Sequence, residues 1–435
     1  MPLGALQAVC GHFFPFLSRQ LTALPDRRDP ARVRYDLPTL IWAELLMLLC
    51  GVQSRYAMVD ASRDDGFAEA LVLLAGMDQE LAAPHPDTPY VFLQHLEPAA
   101  LDGAIGRLTG RLLRMRCFDR LTFQHEWLVG VDATWVRTFK QPHCASCLRQ
   151  RQPDGSYLYF HAVLEAKLLL ANGMVLPLAS LPIQNDDPEA AKQDCELAAF
   201  PRLAEVLRQR FPRLPICLVM DSLYGVGPVL DLCQQRRFSY IVVFKEGRSP
   251  AFYQEAAERA ARVKPEHLRQ DHGVEQHFTW ACNLRWNDRI VHAIFCREVN
   301  PRHAEPSCWG WLSDLRPDRR LAPIIANQGG RRRWNQEENF NDLKNGPPQQ
   351  RHDFGSKGHA WYNTWLLAQL ALMLLQLIHH SDVFRAVTGN LVRRFGDLYH
   401  TLSGFVSALR LAVWREAARV SPRCPTMHLH FCDTS

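Results

Sequence analysis

The stretch WLVGVDATWV, residues 127–136, is apolar apart from a threonine and one carboxylate, that of Asp132. An apolar run of this length predicts a buried β-strand. A carboxylate within such a strand costs free energy unless it is paired with a cation or holds a metal ion. Asp132 is therefore the first residue that the sequence marks for chemistry.

Apolar runs of strand length alternate with helical spacings after this stretch, and a helix-start segment, NDDP, occupies residues 185–188. The predicted order β-β-β-α-β-α-β is typical of an RNase H-like core, a mixed sheet flanked by helices. Its first three strands form an antiparallel meander. The predicted strands are 127–136, 157–170, 174–182, 215–220 and 238–245, and the predicted helices are 189–210 and 228–236.

The whole chain is predicted to be an α/β protein whose core is preceded by helices and interrupted by a β-rich insertion. Leucine and isoleucine recur at helical spacing in residues 98–115, and residues 37–52 are also helical in pattern. The predicted regions are an N-terminal helical region with possible DNA-end binding (1–120), the first part of the core (121–247), the insertion (248–330), the completion of the core (331–380) and a C-terminal helical region (381–435).

Composition limits the class of protein. The 435 residues are 47% hydrophobic, which suits two or three domains, and the net charge of +5 permits a nucleic-acid partner without demanding one. Thirteen cysteines, an odd number, argue against a disulfide framework and favour a reduced, cytoplasmic protein. Residues 361–378 are long and apolar, but they carry polar side chains such as Asn363 and Gln369, so we predict a buried core helix and no membrane association.

Two further segments supply carboxylates and cations. Asp221 directly follows the predicted strand 215–220, and ligands gather beyond the carboxyl ends of strands that are joined by helical crossovers. Arg333, Glu337 and Lys344 follow the spacing R-x3-E-x6-K, which places them on one face of a helix. Such a face suits phosphate and metal, with Glu337 as a third carboxylate and the two cations gripping phosphates. Carboxylates at or near the predicted start of helix 189–210 are assigned to the helix dipole: Asp186, Asp187, Asp194 and Glu196.

Three passages resemble the DDE transposases of the insertion-sequence-four class, the group with a Tyr-Arg-Glu-Lys signature. They are VGVDATWV around Asp132, the segment from Lys192 to Gly225 that contains Asp221, and RRRWNQEENFNDLKNG around Glu337. The segments HCASC, YFHAVLEAK and RHDFGSKGHAWYNTW are also similar, so the resemblance spans roughly residues 85 to 380.

The resemblance implies a transposase that cuts and joins DNA with two Mg²⁺ or Mn²⁺ ions held by Asp132, Asp221 and Glu337. Two such ions, about 3.5–4 Å apart, activate the attacking oxygen and neutralise the leaving one. The implied partners are double-stranded DNA (terminal inverted repeats and target) and a second copy of the chain, at the nucleoid of a prokaryotic cell. Phosphate contacts are expected mostly from basic residues: Arg331, Arg332, Arg333, Lys344, Arg351 and Lys357.

The chain departs from the family pattern at one position. The pattern places a tyrosine three residues before the arginine, where this chain has Gly330. The ring contact with DNA is then absent or comes from another aromatic residue, for which Trp334 is the candidate.

Cys144-x2-Cys147 has the spacing of zinc ligands, and His143 and His161 are nearby in sequence. A structural zinc site needs four ligands, and no second pair of the usual spacing follows. The sequence therefore favours a reduced thiol pair in a loop and leaves zinc open.

Three alternative functions are considered beside the transposase. The first is a domesticated or decayed DNA-binding protein with the same fold, against which the intact carboxylate set argues. The second is a glycosidase with two carboxylates, which has no need for the cations on either side of Glu337. The third, a structural or membrane protein, agrees least with the sequence.

Overall fold

The computed structural model describes residues 2–52, 54–63, 65–185, 193–346, 355–381 and 409–410. Helices precede the sheet, as predicted. Helix α3 shows why they form: Asp36 caps its start by accepting the backbone N–H of Thr39 at 3.0 Å, and every residue of the helix is buried. The N-terminal helices are α1 (Pro2–Phe13), α2 (Leu17–Thr22), α3 (Leu37–Leu49), α4 (Arg55–Ala61), α5 (Asp65–Ala75), α6 (Asp87–His95) and α7 (Pro98–Arg114).

One ten-stranded sheet forms the centre of the described protein, with the order β2-β3-β1-β5-β6-β10-β9-β8-β7 and with β4 also paired to β3. Strands β1, β5 and β6 run parallel, and the remaining pairs are antiparallel. The strands are β1 (Trp127–Phe139), β2 (Leu148–Arg151), β3 (Tyr157–Leu169), β4 (Val175–Ile183), β5 (Ile216–Met220), β6 (Phe238–Val243), β7 (Glu266–Arg269), β8 (Glu275–Trp286), β9 (Arg289–Val299) and β10 (Ser307–Ser313).

Helices connect the parallel strands, because such connections must cross from one end of the sheet to the other. Helix α8 joins β4 to β5, and α9 joins β5 to β6. Strands β7 to β10 extend the same sheet through the antiparallel pairing of β10 with β6. The remaining helices are α8 (Glu196–Arg210), α9 (Gly227–Gln235), α10 (Pro250–Ala260), α11 (Leu321–Ile324), α12 (Arg333–Asn345) and α13 (Ala360–His379).

Helix α13 is the core helix that the sequence predicts. By length and composition it could cross a membrane, but 94% of its apolar window is buried inside the protein. It packs on α3, α6, α7 and β4. Polar side chains of the helix bind neighbouring elements: Asn363 Nδ2 donates to the carbonyls of Leu93 and Leu96 at 2.8 and 2.9 Å.

The structure confirms a mixed α/β protein with N-terminal helices, and one predicted helix start is wrong. Residues 193–195 are not helical, and α8 begins at Glu196 instead of residue 189. Cys195 has an extended backbone, with φ of −153°, and Asp194 Oδ1 accepts its N–H at 3.0 Å. Asp186 and Asp187 lie outside the described residues, and so does the predicted helix 390–419 apart from residues 409–410.

Candidate functional site beside strand β1 and the end of strand β5

Two aspartates occupy matching positions on adjacent parallel strands. Val131 of β1 is in register with Met220 of β5, so Asp132, the next residue of β1, matches Asp221, which directly follows β5. Backbone N–H groups orient both carboxylates: Ala133 donates to Asp132 at 3.0 Å, and Leu223 donates to Asp221 at 2.8 Å. The parallel pairing thus brings the two predicted site residues to one edge of the sheet, as the sequence implies.

Helix α12 approaches β1 closely because Gly130 has no side chain. A Cβ atom at Gly130 would collide with Oε1 of the buried Gln336, so any larger residue would force that side chain to move. The close approach places Arg333 between two acids, with its guanidinium 3.5 Å from Asp132 Oδ2 and 2.7 Å from Glu337 Oε1. Glu337 therefore lies at the same edge of the sheet as Asp132.

Lys344 lies further along the same helix and also reaches β1. Its Nζ donates to Thr134 Oγ1 at 2.6 Å. Contacts of both Arg333 and Lys344 with β1 agree with the single helical face that the R-x3-E-x6-K spacing predicts.

Negative charge exceeds positive charge around Asp132. Burial, together with the neighbouring carboxylates of Asp221 and Glu337, raises the pKa of Asp132 to about 6, against the opposing effect of Arg333. A carboxyl group with so high a pKa is one whose ionised form lacks sufficient compensation from the protein. Perturbed groups of this kind concentrate at functional sites.

Glu196 is a fourth acid at this site, and the sequence analysis assigned it only to a helix start. Burial raises its pKa to about 7, and the charges of Asp132 and Asp221 contribute to the rise. The hydroxyl of the buried Tyr224 donates to Glu196 Oε2 at 3.4 Å. No pattern in the sequence links the start of α8 to β1 and the end of β5, so only the folded chain reveals this neighbour.

A buried polar network holds α12 and α13 against β3. Glu165 and Lys167 are both buried and form an ion pair at 2.8 Å. Lys167 Nζ also donates to Asn339 of α12 at 2.6 Å, and Trp365 Nε1 of α13 donates to Glu165 at 2.5 Å. The network fixes the helix that carries Glu337, and the sequence analysis did not assign a role to it.

The predicted DNA-binding residues lie in different surroundings. Arg333 and Lys344 belong to the acidic site. Arg331 pairs with Glu298 at 2.7 Å and lies over the rings of Trp309 and Trp334, which contact each other edge to face.

Three further candidates complete that set. Burial lowers the pKa of Arg332 from its ordinary value, which marks a partly desolvated guanidinium. Lys357 is exposed and lies beside Tyr90 of α6, where its backbone N–H meets the phenol oxygen at 3.4 Å. Arg351 lies outside the described residues.

The structure explains why position 330 is a glycine. A Cβ atom there would collide with the indole of Trp311 on β10. The side chain of a tyrosine could not enter this position while Trp311 keeps its place. Trp334, the alternative aromatic candidate, is 38% exposed and remains accessible.

No model of a known protein family matches this chain, and no curated protein is significantly similar to it. Function is therefore inferred from the geometry of the acidic site together with the sequence motifs.

Proposed function

We propose that the chain is a DDE-type DNA transposase, which cleaves DNA at the ends of an insertion sequence and transfers the strands with two divalent metal ions. The observation that carries the proposal is the grouping of Asp132, Asp221 and Glu337: Arg333 pairs with Asp132 and Glu337, and Asp221 follows the strand that runs parallel to β1 beside Asp132. The resemblance of the sequence motifs supports the same three residues.

The strand order supports an RNase H-like core as the scaffold. Strands β4, β3, β1, β5 and β6 lie side by side, with the first two pairings antiparallel and the last two parallel. This arrangement follows the predicted order of three meander strands and two helix-connected strands. Strands β7 to β10 then correspond to the β-rich insertion that precedes the glutamate helix.

The donor set fits Mg²⁺ or Mn²⁺. All donors are carboxylate oxygens, which hard divalent cations prefer, and their mutual repulsion would be relieved by bound positive charge. Among the described residues, these carboxylates do not form a group in which all ligand atoms lie within 4.8 Å of one another. A pair of ions about 3.5–4 Å apart needs a wider spread of ligands than one ion does. Bound ions would activate the attacking oxygen and stabilise the leaving one.

Basic and aromatic groups on both sides of the acids supply the surface for DNA. Arg333 lies next to the carboxylates, Lys344 contacts Thr134 two residues beyond Asp132, and Arg331 lies with Trp309 and Trp334 toward β10. Arg331 and Arg333 are now paired with acids, so phosphates would replace those partners when DNA binds. Two chains bridging two DNA ends, at the nucleoid in the cytoplasm of a prokaryote, complete the proposal.

The test is cleavage of a labelled duplex that carries the ends of the DNA flanking this gene, in Mg²⁺, Mn²⁺ or EDTA. The wild type should cut at the element boundary in either metal and not in EDTA. Glu337→Gln should lose cleavage by about 10³-fold or more, because metal ions supply several kcal/mol of transition-state stabilisation, and should retain DNA binding.

Glu338→Gln is the matched control, since this neighbouring carboxylate is exposed and forms no ion pair within the described residues. It should cleave like the wild type. Metal-dependent cleavage that survives in Glu337→Gln would refute the assignment. Binding without cleavage in any metal would point to a DNA-binding descendant that has lost its activity.

A further inference from the structure

Four nitrogen and sulfur ligands meet where β1 ends and β3 begins. His143, Cys144 and Cys147 belong to the connection between β1 and β2, and His161 lies on β3, paired with Arg137 of β1. The pairing of β3 with β1 therefore brings His161 to the cysteines, although the sequence has no second ligand pair at the usual spacing. Ligand atoms of His143, Cys144 and His161 all lie within 4.8 Å of one another.

The separations among Cys144, Cys147 and His161 match those of a tetrahedral zinc site. Zn–S bonds of about 2.3 Å and Zn–N bonds of about 2.0 Å place two sulfurs about 3.8 Å apart and a sulfur and a nitrogen about 3.5 Å apart. Cys144 Sγ and Cys147 Sγ are 3.7 Å apart. His161 Nε2 lies 3.6 Å from the first sulfur and 3.8 Å from the second.

The environment of His161 is unfavourable without a ligand on its ring. The residue is 1% exposed, and its Nε2 faces two sulfurs, which are weak hydrogen-bond partners. Its Nδ1 has no hydrogen-bond partner among the described residues. A buried imidazole with neither nitrogen well bonded is costly, and a metal bond to Nε2 would replace the missing partner.

A disulfide explains the group less well. The sulfurs lie 3.7 Å apart, whereas a disulfide bond is about 2.05 Å long. A disulfide would also give no role to His143 and His161, which each have a ring nitrogen within 4.8 Å of Cys144 Sγ. Magnesium is excluded by the ligands, because thiolate and imidazole select zinc over hard cations.

We propose that His143, Cys144, Cys147 and His161 bind one structural Zn²⁺ ion, separate from the acidic site. The ion ties the β1–β2 connection to β3. The ring of His161 stacks on Trp361 at the start of α13, with centroids 4.5 Å apart, so the site also reaches the core helix. This proposal does not depend on the transposase function.

The test uses the full-length, untagged protein produced in zinc-supplemented medium, with metal content measured by mass spectrometry. The wild type should contain one zinc per chain, and a Cys144→Ser/Cys147→Ser variant should contain none. Cys308→Ser is the control, because Cys308 is an exposed cysteine on β10, and it should keep the metal.

A second measurement works on the wild type alone, in case the variant fails to fold. X-ray absorption of the zinc protein should show two sulfur and two nitrogen neighbours, at about 2.3 and about 2.0 Å. Wild type without zinc, even after incubation with ZnCl₂, would overturn the proposal. Zinc bound only by oxygen and nitrogen, or a Cys144–Cys147 disulfide in protein prepared without oxygen, would overturn it as well.

Discussion

Asp132 and Glu165 lie directly opposite each other on β1 and β3, yet their surroundings differ completely. Glu165 is fully buried and surrounded by partners, while Asp132 is only partly buried and stands among other acids. The partners of the Glu165 carboxylate are Lys167 at 2.8 Å, Trp365 at 2.5 Å, Gln369 at 2.7 Å and Ser180 at 3.2 Å. Asp132 shares a single arginine with Glu337.

The difference separates a carboxylate that holds the fold together from one that is available to a ligand. A buried acid with an ion pair and several hydrogen-bond donors is satisfied by the protein alone. An acid whose pKa is raised by burial and by neighbouring acids lacks that compensation and gains most from a bound cation. Substitutions on the two strands should therefore have opposite effects on stability.

The largest effect is expected for Lys167→Met, which leaves the Glu165 carboxylate buried without its cation. Breaking a buried ion pair costs about 3–5 kcal/mol of unfolding free energy, because one charge remains uncompensated. Chemical denaturation of the variant and the wild type measures this loss.

Arg63→Met provides the comparison on the surface. Arg63 pairs with Asp60 at 3.8 Å, and both side chains are largely exposed, so the loss should stay below about 1 kcal/mol. Equal losses for the two variants would mean that the Glu165–Lys167 pair does not stabilise the core, and the comparison with Asp132 would fail.

Glu44 on α3 is a third case: buried, and without an ion pair among the described residues. Burial raises its pKa to about 7, against an opposing effect of Arg55. Below its ordinary pKa of 4.5, Glu44 is protonated in both the folded and the unfolded protein, and it does not lower the free energy of unfolding. As the pH rises from there through about 7, the folded protein loses stability, because the buried carboxyl group is harder to ionise than the exposed one. Glu44→Gln should remove this loss and be more stable than the wild type at pH 8, by up to about 3 kcal/mol.

Denaturation at pH 5 and at pH 8 tests this prediction, with Glu80→Gln on the surface as the control. The advantage of Glu44→Gln should shrink at the lower pH. An advantage that is the same at both pH values would show that Glu44 does not change its protonation state on folding.

Local sequence patterns were sufficient for the five core strands β1, β3, β4, β5 and β6 and for long helices such as α7 and α13. The apolar run around Asp132 predicted β1 to within three residues of its end, and the polar residues inside 361–378 correctly indicated a core helix. The predicted start of α8 was wrong. NDDP is a general helix-start signal, but the backbone at Cys195 is extended and the helix begins after it. Local signals cannot show which of two possible starts the tertiary structure selects.

Contacts that depend on strand pairing or helix packing could not be predicted from the sequence. His161 meets the two cysteines only because β3 pairs with β1, and Glu196 meets Asp132 only through the packing of α8. Likewise, Glu165 and Asp132 are both acids in apolar runs, and only the neighbours supplied by α13 distinguish them. The three predicted carboxylates could be named beforehand because each follows or interrupts a clear local pattern.

A smaller effect, and again a stabilising one, is expected for Asp132→Asn in metal-free protein. Burial and neighbouring acids raise the pKa of Asp132 to about 6, so at pH 7.5 the ionised group destabilises the fold. Its neutral replacement should gain about 1–2 kcal/mol in EDTA. Mn²⁺ should reverse the order, because bound metal stabilises the wild type in proportion to the logarithm of its concentration, and the variant loses a ligand. If Asp132→Asn instead destabilises the metal-free protein as Lys167→Met does, then Asp132 is a structural acid like Glu165, and the acidic site loses its central residue.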